Sequence, residues 1–241
     1  MERQTFASAS WLSSWWLQRA MESTRPYARG ILLDVGCGVA PYRGFYSVDR
    51  HITCDWPGTV HDRRDIDVYA SADALPFARA CCDTVLCTEV LEHLKQPAVA
   101  IAEAARVLRP GGHLILSVPF LYGIHEQPVD FFRFTEHGLR ALLVANDLEP
   151  VHLQRRGGSV SVVSDLSAKL VQRVTRRTMN AMRFPSGAQR AVLAATVETP
   201  QRLVAFAAGL AERALPRASA LVGASTVATL GYVVVARRGD A

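Results

Sequence analysis

Residues 31–40 read ILLDVGCGVA, and this stretch decides the fold. Its first five residues are apolar and β-rich, as in fully buried strands, and Asp34 is their one charged residue. Gly36 and Gly38 follow at once. Because glycine has no Cβ, backbone N–H groups in such a loop can approach a ligand closely. A strand that runs into Gly-x-Gly therefore predicts a nucleotide-like ligand at the carboxyl edge of a parallel sheet.

Two features separate this loop from a dinucleotide-binding fingerprint. Pro41 stands where that fingerprint has its third glycine, and proline cannot give the same close contact between helix and strand. Asp34 would repel a pyrophosphate but suits a cationic ligand. The loop therefore disfavours a nicotinamide-dependent oxidoreductase. A plain tight turn before a short helix over residues 41–46 is the simpler structural alternative.

Three further motifs follow in order along the chain. Residues 72–77 (ADALPF) form a loop after a short third strand, and residues 82–94 (CDTVLCTEVLEHL) form a fourth strand that continues into a turn. Residues 106–116 (RVLRPGGHLIL) end a helix and begin a fifth strand, predicted over residues 113–118, because Pro-Gly-Gly cannot continue a helix. Four motifs in this order and spacing are far more specific than any one of them.

Together these motifs resemble the class I S-adenosylmethionine-dependent methyltransferases, in particular a bacterial subgroup similar to methyltransferase type 11. The resemblance covers residues 31–145. It implies an α/β fold with a doubly wound, mainly parallel, seven-stranded sheet, and S-adenosylmethionine as the cofactor. The third loop glycine that is common in this family is Ala40 here. This departure affects the geometry of the loop and leaves the fold prediction unchanged.

The cofactor residues follow from the positions that match these motifs. A ribose diol needs a carboxylate at the end of the second strand, roughly 20 residues past the start of the glycine loop. Asp55 lies 19 residues after Gly36 and Asp49 only 13, so we predict Asp55, with Trp56 beside it to cover the adenosine. His93 either lines the site or ends a helical turn. The resemblance implies these cofactor-binding residues: Asp34, Gly36, Cys37, Gly38, Asp55, Trp56, Asp73, Ala74, Leu75, Thr88, Glu89 and His93.

The methyl acceptor is expected beside the loop after the fifth strand, residues 119–134 (PFLYGIHEQPVDFFRF). Transfer to a hydroxyl needs a base, and His125 is the predicted general base because histidine titrates near neutral pH. Glu126 or Asp130 would orient His125. Arg133 either binds an acidic group of the acceptor or pairs with Asp130, and we favour the pairing. The predicted catalytic residues are His125 and Glu126, and the predicted substrate-binding residues are Tyr122, Asp130, Arg133 and Trp15.

The cysteine content predicts a cellular compartment, and the order of the segments predicts the domain organisation. The five cysteines among 241 residues are odd in number and show no C-x-x-C spacing, which argues against a disulfide framework and a zinc site and favours the cytoplasm. No other run has metal-ligand spacing, so we predict no metal. We predict one methyltransferase domain with four parts: a helical cover over residues 1–30, a cofactor-binding core over 31–155, a basic helical insertion over 156–227, and a last strand with its tail over 228–241.

Charge is distributed unevenly along the chain. Residues 151–217 hold 11 Lys/Arg and 3 Asp/Glu, a net charge of +8, whereas residues 1–150 hold 14 and 18. The basic helices of residues 163–217 predict peripheral contact with an anionic membrane, against the simpler interpretation of a solvated face. Residues 218–236 are uncharged, but their end is typical of a buried last strand rather than of a membrane span. We expect no nucleic-acid partner, and the insertion could also form a homodimer face.

The sequence thus predicts methyl transfer from S-adenosylmethionine to a small-molecule or lipid- or glycan-linked acceptor, as in secondary metabolism. O-methylation is favoured over N-methylation. A binding protein that keeps the fold without turnover is the alternative outside enzymes.

Overall fold

Seven strands pair into one sheet in the computed structural model, which describes residues 10–59, 64–183, 185–214 and 228–240, except the side chains of 208–214. The strands are β1 (Ile31–Val35), β2 (Arg50–Asp55), β3 (Val68–Tyr69), β4 (Cys82–Thr88), β5 (Leu108–Pro119), β6 (Leu148–Arg156) and β7 (Gly231–Arg238). Their order is β3-β2-β1-β4-β5-β7-β6, in which only β7 runs antiparallel to its neighbours. The predicted mainly parallel seven-stranded sheet is confirmed.

Helices cover both faces of this sheet. They are α1 (Trp11–Glu22), α2 (Pro97–Val107), α3 (Glu136–Val144), α4 (Ser159–Ala181), α5 (Ser186–Leu193) and α6 (Thr199–Ala214), and a π-helical turn (Ala194–Glu198) joins the last two. Helix α3 begins at Thr135, whose side chain accepts a hydrogen bond from the N–H of Gly138. Helices α4, α5 and α6 lie between β6 and β7, so the predicted helical insertion before the last strand is confirmed.

Alternating side chains of the central strands build two apolar layers, as a pleated sheet requires. Leu33 and Val85 face the layer that includes Ile101 of α2 and Leu139 of α3. The adjacent Leu32 and Leu86 face a second layer, which α1 covers through Ala20 and Met21. The other end of α1 packs on the insertion, where Leu12 and Trp16 contact Val162 and Ala205.

The segment after the glycine loop differs from its prediction. Residues 41–46 form a series of turns and not the predicted short helix. Ala40 and Gly44 have positive φ angles of 48° and 76°, and a chain that enters the left-handed region twice in five residues cannot form a helical turn. Tyr42 and Tyr46 nevertheless bury their rings against the sheet. The glycine loop therefore positions its ligand without a helix directly behind it.

Strand β5 is longer than predicted. It begins at Leu108, five residues before the predicted His113, and pairs with Cys82 of β4 before an irregularity in register. Gly111 has a φ of 71°, which lets the Arg-Pro-Gly-Gly run stay within the strand.

Most of the uncharged run, residues 218–227, lies outside the described residues, and its last six residues lie in β7. In the described part of the chain, no helix combines the length and apolar character that a membrane crossing requires.

Candidate active site

The glycine loop connects the end of β1 to the end of β2. The N–H groups of Gly36 and Cys37 both donate to the carbonyl oxygen of Cys54, at 2.8 and 3.1 Å. Gly36 has a φ of 70°, and a Cβ at this position would lie 2.3 Å from Cγ2 of Val90. Only glycine permits both the backbone conformation and this close approach of the segment after β4. The loop thus brings the ends of β1, β2 and β4 together at the carboxyl edge of the sheet.

Asp55 lies at the last position of β2, as predicted, and binds the glycine loop directly. One carboxylate oxygen accepts from the N–H of Gly38 at 2.8 Å, and the other accepts from the N–H of Trp56 at 2.7 Å. The Trp56 ring is half-exposed and folds over Gly58. Asp49 precedes β2 and is exposed, so spacing along the chain predicted the register of this strand correctly.

Asp34 is buried at the centre of the sheet edge. Its Oδ2 lies 3.2 Å from Nε2 of His51, whereas Oδ1 has no hydrogen-bond partner among the described residues. Burial raises the pKa of this carboxyl, and the adjacent imidazole opposes that rise. A buried carboxylate oxygen without a partner is costly, and a cationic or hydrogen-bonding ligand would relieve that cost.

The loop after β3 carries the three residues predicted to bind adenine. Asp73 and Ala74 are exposed in a turn, in which the N–H of Ala74 donates to the carbonyl oxygen of Ser71 at 3.0 Å. The N–H of Leu75 donates to Glu103 at 2.8 Å, its carbonyl accepts from Arg106, and its side chain is buried in the core. The backbone N–H and carbonyl of Leu75 are therefore both bonded within the protein, and its contact with the adenine ring stays a prediction.

The end of β4 carries Thr88 and Glu89, and Glu89 has a positive φ of 54°. One oxygen of Glu89 accepts from the hydroxyl of Ser117 at 2.8 Å, and the other lies 3.1 Å from Nη2 of Arg156. Arg156 is fully buried and also donates to the carbonyl oxygen of Val118. The carboxylate of Glu89 is thus held at the strand edge by β5 and β6.

An acid–base cluster lies directly after this edge. It consists of Glu92 and His93, in a short 3₁₀ turn, and His125, in the loop after β5. Oε1 of Glu92 lies 3.7 Å from Nε2 of His93 and 3.8 Å from Nε2 of His125, and the two imidazole centroids are 4.8 Å apart. Glu92 is fully buried, and burial raises the pKa of its carboxyl. The N–H groups of Phe131 and Phe132 donate to the carbonyl oxygen of Glu92, and these two bonds hold the loop after β5 against the 3₁₀ turn.

Asp130 orients His125. Its Oδ2 accepts from the backbone N–H of His125 at 2.9 Å and lies 3.3 Å from Nδ1 of the ring. Arg133 holds the same carboxylate with bonds of 2.6 and 2.8 Å, which lower the pKa of Asp130 to about 2. Burial lowers the pKa of His125, so its imidazole is neutral at pH 7. Glu126 lies 3.9 Å from Nε2 of His93.

Residues 119–134, which begin at the last residue of β5, are called the acceptor loop below. Tyr122 connects this loop to the insertion and to the segment before α1. Its hydroxyl is 2.9 Å from the Ser10 hydroxyl, and Nζ of Lys169 lies 3.2 Å from its ring centroid. Lys169 pairs with the buried Asp165 one turn earlier on α4, at 2.5 Å. Trp15 packs edge-on against Trp16 in the cluster between α1 and the insertion, and Leu121 of the loop after β5 packs against the same cluster.

Comparison with known proteins identifies the core. Residues 33–116 match the family model described as a methyltransferase domain. Residues 33–116 are thus similar to a methyltransferase domain. The match and the fold agree with the resemblance to class I S-adenosylmethionine-dependent methyltransferases that the sequence shows.

The curated relatives align with this chain over only part of their own length. A malonyl-acyl-carrier-protein O-methyltransferase of Hahella chejuensis is 32% identical over 104 residues, which cover 42% of this chain and 32% of the relative. A 27-O-demethylrifamycin SV methyltransferase of Amycolatopsis mediterranei is 34% identical over 110 residues, which cover 44% of this chain and 40% of the relative. Among solved structures, the cyclase SpnF shares the fold with a TM-score of 0.54 at 18% identity, over 99% of this chain and 86% of its own.

The edge of the methyltransferase domain fits the cofactor that the family name implies. Three observations support the fit. The glycine loop leaves no room for a Cβ at Gly36, and Asp55 places a carboxylate at the end of a strand. One buried carboxylate oxygen of Asp34 has no hydrogen-bond partner among the described residues. A sulfonium ligand with an ammonium group and a ribose diol would use all three.

Sequence reasoning missed the roles of several residues in the methyltransferase domain. Glu92 was part of a quoted motif, yet a lone acidic residue in an apolar turn gives no signal of full burial. Arg156 ends a strand, and Lys169 and Asp165 lie on a helix far along the chain; their contacts exist only in the folded structure. The i, i+4 spacing of Asp165 and Lys169 was the one signal available.

Proposed function

We propose that this protein transfers a methyl group from S-adenosylmethionine to a hydroxyl or carboxyl oxygen of a small-molecule or carrier-linked acceptor. The observation that carries the proposal is the position of His125, held by Asp130 through its backbone N–H, beside the carboxyl edge where the glycine loop and Asp55 lie. The names of two relatives, an O-methyltransferase of a carrier-bound acyl group and a methyltransferase of a demethylated oxygen, favour oxygen as the acceptor atom.

Three residues would hold the cofactor. Asp55 would accept from the ribose hydroxyls, Asp34 would face the cationic end, and Glu89 would contact the methionine part. When bound, the cofactor supplies a sulfonium methyl group, whose bond to sulfur breaks with the electron pair left on sulfur as the acceptor oxygen bonds to the carbon. His125 takes the proton of the acceptor on Nε2, because Nδ1 faces Asp130. Arg133 keeps Asp130 ionised and so keeps the imidazole oriented.

Calorimetric titration with S-adenosylhomocysteine tests the cofactor site. We expect wild type to bind, Asp55→Ala to lose at least about tenfold in affinity through lost hydrogen bonds to the ribose, and Asp49→Ala to bind like wild type. Asp49 is the matched control because it is an exposed aspartate six positions earlier. Unchanged binding by Asp55→Ala, with its folding verified by circular dichroism, would refute the placement of the ribose.

We also propose that α4 contacts an anionic membrane surface. One face of this helix is buried through Ser161, Val162, Asp165 and Ala168. The opposite face is apolar and exposed at Val160, Val163, Leu170 and Val174. Arg173, Arg176 and Arg177 are exposed beside it, which suits acidic lipid headgroups.

Co-sedimentation with vesicles of anionic phospholipid tests this contact. We expect binding at low salt that weakens as salt rises, and that Leu170→Glu abolishes. Val144→Glu on α3 is the control, since Val144 is as exposed as Leu170, at 63% each, and the arginine one turn before it, Arg140, pairs with Glu136. A wild-type protein that stays in solution and forms dimers instead would assign this face to a second copy.

A further inference from the structure

The cluster of Glu92, His93 and His125 has the organisation of a metal-binding site. Three ligand atoms of these residues, one carboxylate oxygen and two imidazole nitrogens, lie within 4.8 Å of one another. Glu92 is fully buried, and neither of its carboxylate oxygens has a hydrogen-bond partner among the described residues. A buried carboxylate in this state is costly unless a cation or a hydrogen-bond donor lies between it and its neighbours.

Both imidazoles are oriented with Nε2 toward Glu92. Nδ1 of His93 lies 2.6 Å from the carbonyl oxygen of Val129, which can only accept, so Nδ1 carries the proton and Nε2 a lone pair. Nδ1 of His125 lies 3.3 Å from the Asp130 carboxylate, which favours the same tautomer. A histidine that binds a metal typically donates its other ring N–H to a carbonyl or carboxylate. His93 has such a hydrogen bond, whereas Nδ1 of His125 lies near the Asp130 carboxylate without forming one.

We propose that Glu92, His93 and His125 bind a divalent first-row transition-metal ion, with Zn²⁺ as the probe. Two imidazoles and one carboxylate are a ligand set that Zn²⁺ and Fe²⁺ both use, with further coordination positions left open. The oxygen–nitrogen distances of 3.7 and 3.8 Å exceed by only a few tenths of an ångström the separation of about 3.4 Å that bonds of about 2.1 Å give in a tetrahedral site.

The cluster lies between the cofactor edge and the acceptor loop. His93 and Glu92 follow Glu89 at the end of β4, and His125 belongs to the loop that is expected to contact the acceptor. A metal ion there would have open positions toward the acceptor and would lower the pKa of an oxygen bound to it. With the ion bound, Nε2 of His125 is a ligand, and removal of the proton from the acceptor is no longer its task. The metal proposal thus stands apart from the proposed function, and binding can be measured without cofactor or acceptor.

The experiment is a metal titration of the full chain after removal of bound ions with a chelator. Zn²⁺ is titrated by calorimetry and Co²⁺ by visible absorption, which reports coordination by nitrogen and oxygen. We expect one ion per chain. We expect Glu92→Gln and His125→Gln each to weaken Zn²⁺ binding by more than about 100-fold, because loss of an outer partner alone costs about 10- to 100-fold.

His137→Ala is the matched control, an exposed histidine on α3 outside the cluster, and it should bind Zn²⁺ like wild type. Circular dichroism and S-adenosylhomocysteine binding verify the fold of each variant. Absence of stoichiometric binding by wild type overturns the proposal, as does wild-type affinity in both cluster variants. Neither result affects the proposed cofactor site, which S-adenosylhomocysteine binding tests separately.

Discussion

Replacement of Arg133 by methionine tests how the acceptor loop is held. The guanidinium of Arg133 makes two bonds to Asp130, and it also donates to the carbonyl oxygens of Tyr122, Gly123 and Phe132. Methionine keeps much of the apolar stem and removes every one of these donors. The variant leaves Asp130 with the backbone N–H and the ring of His125 as its remaining partners.

The pKa of Asp130 sets the size of the effect. A fall from an ordinary 3.8 to about 2 corresponds to about 2.4 kcal/mol at about 1.36 kcal/mol per pH unit, and the bonds from Arg133 are the largest cause of that fall. We therefore expect Arg133→Met to lower the free energy of unfolding by about 2 kcal/mol at pH 7. Because the folded state has the lower pKa, this stabilisation is fully present above pH 3.8 and disappears as the pH falls toward 2.

Urea unfolding of wild type and variant across this pH range measures the difference. The control is Arg140→Met, since Arg140 pairs with Glu136 at 3.4 Å and is 45% exposed, so its loss should cost less than about 0.5 kcal/mol. A difference for Arg133→Met below 0.5 kcal/mol, or one that stays constant from pH 7 to pH 3, would refute the role assigned to the Asp130 pair.

Two further predictions concern the glycine loop and His125. Gly36→Ala should destabilise the protein by about 3 kcal/mol or more, because left-handed strain of about 1–2 kcal/mol adds to the overlap with Val90. Gly44→Ala should cost only the strain, since nothing lies within 4 Å of its added Cβ, and equal losses in urea unfolding would contradict this reasoning. The imidazole of His125 should titrate below the ordinary pKa of 6.5 because burial disfavours its charged form, and NMR titration checks this against His125→Asn. A midpoint above 6.5 would remove the argument that the ring is a neutral base at pH 7.

Spacing along the chain predicted correctly which aspartate ends the second strand. Asp55 was chosen over Asp49 by its distance from Gly36, and the register of β2 with β1 places it beside Gly38. This works because parallel strands must end at a common edge, so the motif order fixes which residues meet there. The same reasoning failed for residues 41–46, since the positive φ of Ala40 is not expected of an alanine.

Spacing could not predict the acid–base cluster, because neither half is a site alone. Glu92 and His93 are neighbours in one turn, where Oε1 of Glu92 lies 3.7 Å from Nε2 of His93. His125, the third member of the cluster, lies 32 residues after His93 in the sequence. The loop that carries His125 also supplies the partner of each ring, Val129 for His93 and Asp130 for His125. The orientation of both imidazoles therefore depends on how this one loop packs against the carbonyl oxygen of Glu92. Any movement that breaks those two backbone bonds would disturb the proposed base and the proposed metal ligands together, because both depend on the packing of residues 125–133.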